Sequence, residues 1–434
     1  MGQKISVQNI VSLLQLPKVG RKTALKLLTA LDHSVSDKQD LIDYVKEQAG
    51  SMRLPEYSAA AYDLAFGHAE QILEQSEKAG ISVISVLDED YPKQLRETPD
   101  PPVTLSYKGN IKVLSEKPNI AVIGTREPTD FGVKIGERLG EVFASHKFNV
   151  VSGLALGCDT AGHVGALKGN GTTAAVLAHG LDHIYPKENK ELAQTIVDKN
   201  GVLVSEYFVK QRPMANYFVD RDRIQAGLSQ SVVIVETDVK GGTMHTAKYC
   251  NEYNRKLVCF NHPQQYRSEP KVQGNQMLIR EGKALPVYSK DEIDILMFIL
   301  LNDFTDINGS EATYFYPDLL GVICTDGESK HNVIEGKTYS DFDDTAIVLA
   351  SHIKEYLNDI SVASSIDGKW QRSDSIGYAD FISGFGKRDN KLYLQLYDHI
   401  YHGLKKHVDE IPANGNAEKK EQSNTDTKQG SLWE

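Results

Sequence analysis

The sequence predicts an α/β protein built on a doubly wound parallel sheet, with a small helical domain before the sheet and a C-terminal domain of unassigned fold after it. Three observations carry this expectation. Short apolar runs recur between residues 81 and 260, segments of helical length separate them, and the acidity of the chain is confined to its last third. Apolar runs without polar alternation fit strands covered on both faces, and such strands need helices on both sides of the sheet.

Residues 7–31, VQNIVSLLQLPKVGRKTALKLLTAL, hold two short apolar-periodic segments around the turn Pro17-Lys18-Val19-Gly20. That pattern predicts a helix-hairpin-helix, a motif whose turn amides can face a phosphate but which also serves as plain scaffold. Helical spacing continues across residues 37–79 and ends at Gly80, which places a helical domain over residues 1–80. A strand, ISVISVL, starts at Ile81. IAVIG (120–124), FNVVSG (148–153), TTAAVLA (172–178), GVLVSE (201–206), SVVIVE (231–236) and KLVCF (256–260) follow. Helices are predicted over Phe131–Ser145, Thr160–Lys168, Glu188–Asp198, Arg223–Gly227 and Thr243–Asn254, which gives an α/β domain over 81–285. Residues 286–412 are read as an acidic domain with a strand at 322–327 and helices at 345–357 and 392–408. The polar segment 413–434 is expected to be a disordered tail.

Composition narrows the function classes. Hydrophobic residues at 40% and charged residues at 25% are ordinary for a globular chain. There is neither an apolar leader nor a run of about 20 apolar residues, so a cytoplasmic protein without a membrane contact is expected. The four cysteines are scattered, which argues against a disulfide framework and a zinc site. The net charge of −11 speaks at first against a nucleic-acid partner. By segment it is −2 over residues 1–118, +1 over 119–262, +2 over 263–285 and −12 over 286–434. A local basic patch on the central domain remains compatible with that distribution.

Ligands of doubly wound sheets bind at the carboxyl ends of the strands, so the strand-end residues are the candidates. Gly124, Thr125 and Arg126 follow the 120–124 strand and suggest an anion site where amides and a guanidinium meet, although a glycine there often only makes a turn. Ser152 and Gly153 end the 148–153 strand. Asp159 is expected to cap the next helix, with His163 packed on it. Lys187 precedes a helix on the same rim. Phe218, Arg221 and Arg223 combine an aromatic ring with guanidinium groups, the chemistry that stacks a base and takes a phosphate. Gly241, Gly242 and Thr243 open a helix and suit a phosphate or nucleotide cradle, without the lysine of a P-loop. No residue is put forward as catalytic, and no metal or cofactor is expected.

In order, YPKQLRETPDPPVTLSYKGN, IAVIGTR, VVSGLALGCDTAGH, GLDHIYPKENKEL, RDRIQAGLSQSVVIVE, GGTMHTA and GNQMLIREGKAL resemble the DNA-processing protein A (DprA/Smf) family over roughly residues 8–285. The resemblance implies a Rossmann-like core, single-stranded DNA in a strand-end pocket, a homodimer, and hand-over of DNA to a RecA-type recombinase, with natural transformation as the best-known setting. It makes Arg126 and Lys187 the DNA-contacting cations and Ser152, Gly153, Phe218, Arg221 and Arg223 the pocket lining. Three features depart from the family pattern. Asp222 stands where the family has Asn. Gly241-Gly242-Thr243 replaces Ser-Gly-Ser and is followed by His245. The acidic segment 286–434 replaces a short winged-helix tail. A specialised setting such as phage defence fits these departures. The alternative they leave open is a nucleotide sensor or nucleotide-cleaving enzyme that uses Glu206 or Asp159.

Overall fold

The computed structural model describes residues 4–288, isolated helical positions between 293 and 300, and eight short strands between 305 and 396. The chain divides into two compact units, Met1–Met277 and Leu278–Glu434.

The first unit begins with four helices: α1 (Val7–Gln15), α2 (Arg21–Thr29), α3 (Lys38–Met52) and α4 (Ala59–Lys78). Their boundaries follow local chemistry. Ser6 and Ser58 cap α1 and α4 by accepting from Asn9 and Ala61 amides, and Asp37 with Asp40 forms a capping box on α3. The helical pattern over 37–79 is interrupted where Arg53 turns left-handed, ahead of Pro55. Val11 of α1 and Ala69 of α4 share a core with Phe208 of the sheet unit, so the bundle is packed onto the α/β region. Pro17, Lys18 and Gly20 of the hairpin turn are exposed, but the helix that follows points its first side chain at the sheet. Arg21, the first residue of α2, pairs with Asp100 at 3.1 Å and with Glu206 at 3.4 Å.

The nine-stranded sheet comprises β1 (Ser82–Ser85), β2 (Thr104–Gly109), β3 (Asn119–Ile123), β4 (Asn149–Ser152), β5 (Thr173–Val176), β6 (Val202–Ser205), β7 (Ser231–Ile234), β8 (Lys256–Phe260) and β9 (Leu285–Val287). Its helices are the short α5 (Lys93–Arg96) and α6 (Val113–Glu116), then α7 (Asp130–Ser145), α8 (Cys158–Lys168), α9 (Lys190–Asp198), α10 (Ala215–Leu228), α11 (Thr243–Glu252) and α12 (Gln273–Arg280). The strand order is β1-β2-β6-β5-β4-β3-β7-β8-β9. From β6 to β8 every pair is parallel, while β2 runs antiparallel to both β1 and β6. The expected doubly wound parallel sheet is thus present, with an antiparallel addition at one edge. There β2 was hidden in the sequence behind Pro101-Pro102. The runs from β3 to β8 contain β-branched and apolar residues that are buried along the strands, as their unalternating pattern predicts.

The helix expected over Arg223–Gly227 is longer, starting at Ala215. Every residue from Arg221 to Leu228 is buried, so no apolar stripe marks the helix in the sequence. From β3 the chain moves outward through β4, β5 and β6, then crosses back to place β7 on the other side of β3. Loops leaving β3 and β7 thus diverge and open a crevice at their carboxyl ends.

The end of β7 is fixed from behind by Asn275 of α12. Its amide donates to the carbonyls of Ile234, Val235 and Phe260, and its oxygen accepts from the Thr237 amide at 2.9 Å. The side chain is fully buried.

In the second unit, β10 (Thr305–Asp306), β11 (Tyr314–Asp318), β12 (Gly321–Thr325), β13 (Lys330–Glu335), β16 (Ile382–Arg388) and β17 (Lys391–Leu396) form a sheet in the order β10-β16-β17-β11-β12-β13. The hairpin of β14 (Ser365–Ile366) and β15 (Lys369–Trp370) stands apart in sequence between them. The strand expected near 322–327 is β12. A helix was expected to start at 392, where β17 is found instead. Leu392, Leu394 and Leu396 alternate at the strand period, which competes with helical spacing. The helix expected at 345–357 and the tail at 413–434 lie outside the described residues.

Replacing Asn275 by Ala leaves three buried carbonyls and one amide short of partners. An unsatisfied buried group costs about 1–3 kcal/mol. Asn275→Ala is expected to lower the free energy of unfolding by at least that amount, measured by denaturant titration.

Candidate nucleic-acid interface

A cavity of about 390 Å³ occupies the crevice between the β3 and β7 ends. Its walls come from the loop after β3, from α10, and from the turn that opens α11. Eight of the twelve residues singled out in the sequence line it: Gly124, Thr125, Arg126, Phe218, Arg221, Gly241, Gly242 and Thr243. Ser152, Gly153, Lys187 and Arg223 do not, and each has a physical reason.

The Ser152 hydroxyl is fully buried and donates to the Val122 carbonyl at 2.7 Å. Gly153 lies beneath Arg221, whose guanidinium would overlap any Cβ at that position. Arg223 is 1% exposed and points away from the cavity, into the network of Asp100, Glu206 and Arg21. Two positions separate it from Arg221, so the two arginines leave different sides of α10. Lys187 is exposed at the start of a 3₁₀ turn, beside the rim rather than in the cavity.

The anion seat expected at the start of α7 is already filled. Glu236, just after β7, is fully buried and places its carboxylate there. One oxygen accepts from the Thr129 amide at 2.8 Å and the other from the Thr129 hydroxyl at 2.6 Å. His262 Nε2 lies 3.4 Å from the same carboxylate. A Cβ at Gly132 would overlap the carboxylate, so only glycine fits in the first turn. A carboxylate at a helix N-terminus gains from the exposed amides and the helix dipole. The Thr125 amide is likewise spent, donating to the Glu236 carbonyl at 2.7 Å. A ligand phosphate thus meets neither that amide nor the first turn of α7.

Beneath the cavity sits a buried charge cluster. Arg221 donates to the carbonyls of Gly153 at 2.8 Å and Val176 at 2.6 Å, and its Nε lies 3.3 Å from Asp222. Asp159, in the first turn of α8 rather than at the cap, accepts from the Gly153 and Ala155 amides. Gly157 takes the cap position, with φ of 82°. Burial pushes the Asp222 carboxyl up to about 7, with the neighbouring Asp159 charge adding to the rise and Arg221 opposing it. Burial also raises Asp159. Asp222 therefore carries only part of a negative charge near neutrality, which softens its departure from the family's Asn. His163 packs against Thr173 at 2.7 Å, and burial lowers it to about 3, so it is neutral scaffold.

Counting the lining, Arg126, Arg221 and Lys271 face Glu127, Asp159, Asp222 and Asp238. Lys271 reaches Glu127 at 3.4 Å and Asp238 at 4.0 Å. The floor holds Arg221 with the buried Asp159 and Asp222, while Arg126 and Lys271 share the mouth with the exposed Glu127 and the half-buried Asp238. There the Arg126 guanidinium stands 5.0 Å from the centre of the Phe218 ring, and Phe218 meets Tyr185 at 6.0 Å. Tyr185 is 47% exposed and precedes Lys187 by two residues. Sequence reading missed Tyr185, Glu236, Lys271 and Asn275. An acid directly behind the apolar run SVVIV was the available sign for Glu236. Among the described residues, no three of His, Cys, Asp and Glu converge as metal ligands do.

A family model for DNA recombination-mediator protein A matches residues 82–298. The chain belongs to that family. DNA recombination-mediator protein A relatives include the Synechocystis protein Smf, 39% identical over 190 residues, which cover 43% of this chain and 48% of that protein. The Bacillus subtilis DNA processing protein DprA is 34% identical over 223 residues, covering 51% of this chain and 73% of the relative. The chain thus spans about half the length of the Synechocystis relative. The X-ray structure of DNA processing protein A from Streptococcus pneumoniae superposes with a TM-score of 0.55 at 29% identity, over 66% of this chain and 95% of that one. The mediator family fold is thereby shared by the α/β unit described above.

Asp222 gives a signed expectation. In the unfolded chain its carboxyl ionises near 3.8, while the folded protein holds the proton to about 7. Between those values the folded state binds more protons, so stability falls as pH rises through the window and levels off above it. Urea midpoints measured from pH 4 to 8 should decline over that range, and Asp222→Asn should flatten the slope. An unchanged slope in the variant would remove Asp222 as its source.

Proposed function

We propose that this protein binds single-stranded DNA on the strand-end rim and passes it to a RecA-type recombinase, as a non-enzymatic mediator of DNA processing or recombination. The observation that carries the reading is the Arg126–Phe218–Tyr185 row at the cavity mouth. Bases stack on such rings whatever their sequence, and guanidinium groups add charge and cation–π attraction. The charge distribution orients the strand. Phosphates suit Arg126 and the exposed Lys187, while the carboxylates of the floor suit the N–H edges of a base turned inward. The family description supports the recombinase partner, and a homodimer belongs to the same reading. So do a cytoplasmic location and a setting in transformation or phage defence. No helix among the described residues is long and apolar enough to cross a membrane.

One observation favours a second reading, a nucleotide-binding or nucleotide-cleaving protein. The N-terminus of α11 opens on the cavity at Gly242, which has no side-chain cap and open space beside it. That seat suits a single phosphate. The carboxylates proposed for such chemistry are differently placed. Glu206 is held by Arg21 and Arg223 outside the cavity lining, and Asp159 already accepts two amides.

Titration of oligonucleotides at two salt concentrations separates the readings. Single-strand binding should weaken with salt as phosphate contacts release counterions. Arg126→Ala should lower affinity for all sequences alike, and Phe218→Ala should cost about 1–3 kcal/mol, the usual worth of one stacked base. Wild-type affinity in an Arg126→Ala/Lys187→Ala double variant would refute the DNA reading. Release of free base from a mononucleotide would favour the second.

A further inference from the structure

Beyond the cavity, the rim continues along the carboxyl ends of β4, β5 and β6, and its chemistry is not that of an ordinary surface. Four of the six large hydrophobic side chains exposed among the described residues fall on successive strand-end loops. Leu156 (43%) follows β4, Tyr185 (47%) follows β5, Met214 (54%) follows β6 and Val239 (46%) follows β7. The loop after β6 also presents Lys210 and Arg212, both exposed, and residues 207–214 contain no acid.

That loop is built rather than loose. The Lys210 amide donates to Asp182 at 2.9 Å, and the Gln211 carbonyl accepts from the Gly180 amide at 2.9 Å. The Gln211 side chain takes the Phe208 amide at 2.6 Å. The loops after β5 and β6 are thus bolted together, with Asp182 consumed in the joint. Behind them Tyr207 stacks on Tyr217 of α10 at 3.9 Å, next to Phe218 of the cavity mouth.

We propose that Lys210 and Arg212, with Met214 beside them, form a second phosphate-contacting subsite that takes the continuation of the same single strand. The ligand of the rim is then a polynucleotide rather than a short fragment. The proposal rests on the single-strand reading above. Neighbouring strands lie about 4.8 Å apart, so three steps from β3 to β6 span about 14 Å. At about 3.4 Å per phosphate along a stacked strand, that is about four phosphates. The path begins at Arg126, crosses Phe218 and Tyr185, passes Lys187 and ends on Lys210 and Arg212. Cations flank the aromatic pair along it on both sides.

The test compares a thymidine dinucleotide with a twelve-residue oligothymidylate, by fluorescence titration at several salt concentrations, on the full chain. Lys210→Gln/Arg212→Gln should leave dinucleotide binding at the wild-type value. It should weaken the twelve-mer about tenfold and reduce its log–log salt slope by about 1.4, since each single-strand phosphate contributes about 0.7. A wild-type slope and affinity for the twelve-mer in this variant would overturn the proposal, as would equal weakening of both ligands. Arg126→Ala separates the two levels. If it weakens both ligands while the double variant weakens neither, the single-strand reading stands and the second subsite falls. If Arg126→Ala affects neither ligand, the underlying reading falls. Should the double variant unfold at a lower temperature than the wild type, Arg212→Gln alone carries the test, with an expected slope change of about 0.7.

Discussion

The buried carboxylate of Glu236 at the head of α7 governs the arrangement of the whole site. It satisfies the Thr129 amide and hydroxyl, sits within reach of His262, and forces glycine at position 132. Its own carbonyl holds the Thr125 amide. One residue thereby joins the ends of β3 and β7, the two strands whose loops diverge to make the crevice. In dinucleotide-binding relatives of this architecture the pyrophosphate rests on the helix that follows the first strand. Here a protein carboxylate holds that seat. The exposed guanidinium of Arg126 and the uncapped start of α11 lie elsewhere on the cavity wall.

Helix α10 distributes charge in two directions. Arg221 turns under the cavity, where three backbone carbonyl and carboxylate contacts pin it against Gly153. Arg223 turns toward Asp100 and Glu206, where Arg21 from the helical bundle arrives. Arg21, which follows the hairpin turn whose amides the sequence offered to a phosphate, thus fastens the bundle to the sheet. The chain accordingly uses its most buried ionic groups for assembly.

Much of this was legible in the sequence. Unalternating apolar runs located the strands from β3 to β8, and the strand-end rule pointed to Gly124, Arg126, Phe218 and Gly241–Thr243. What stayed hidden had physical causes. The second half of α10 is buried on all sides, so its helix leaves no stripe. β2 lies behind two prolines. The fates of Ser152, Arg223 and Glu236 depend on partners 17 to 107 positions away, such as Val122, Glu206 and Thr129. Spacing along the chain cannot distinguish an arginine that meets solvent from one that meets a buried carboxylate. The drift from Asn to Asp at 222 read as repulsion, because the effect of burial on its proton is a property of the fold.

The joint between the loops after β5 and β6 has a consequence for recognition. Because Asp182, Gly180 and Gln211 lock these loops before any ligand arrives, the rim needs little reorganisation on association. The entropic penalty of forming the complex then falls mainly on the flexible partner, which must surrender its own backbone freedom. On the proposed single-strand reading, a rigid track of this kind would discriminate by pliancy, since a chain able to bend over the rings can follow it and a stiff double helix cannot.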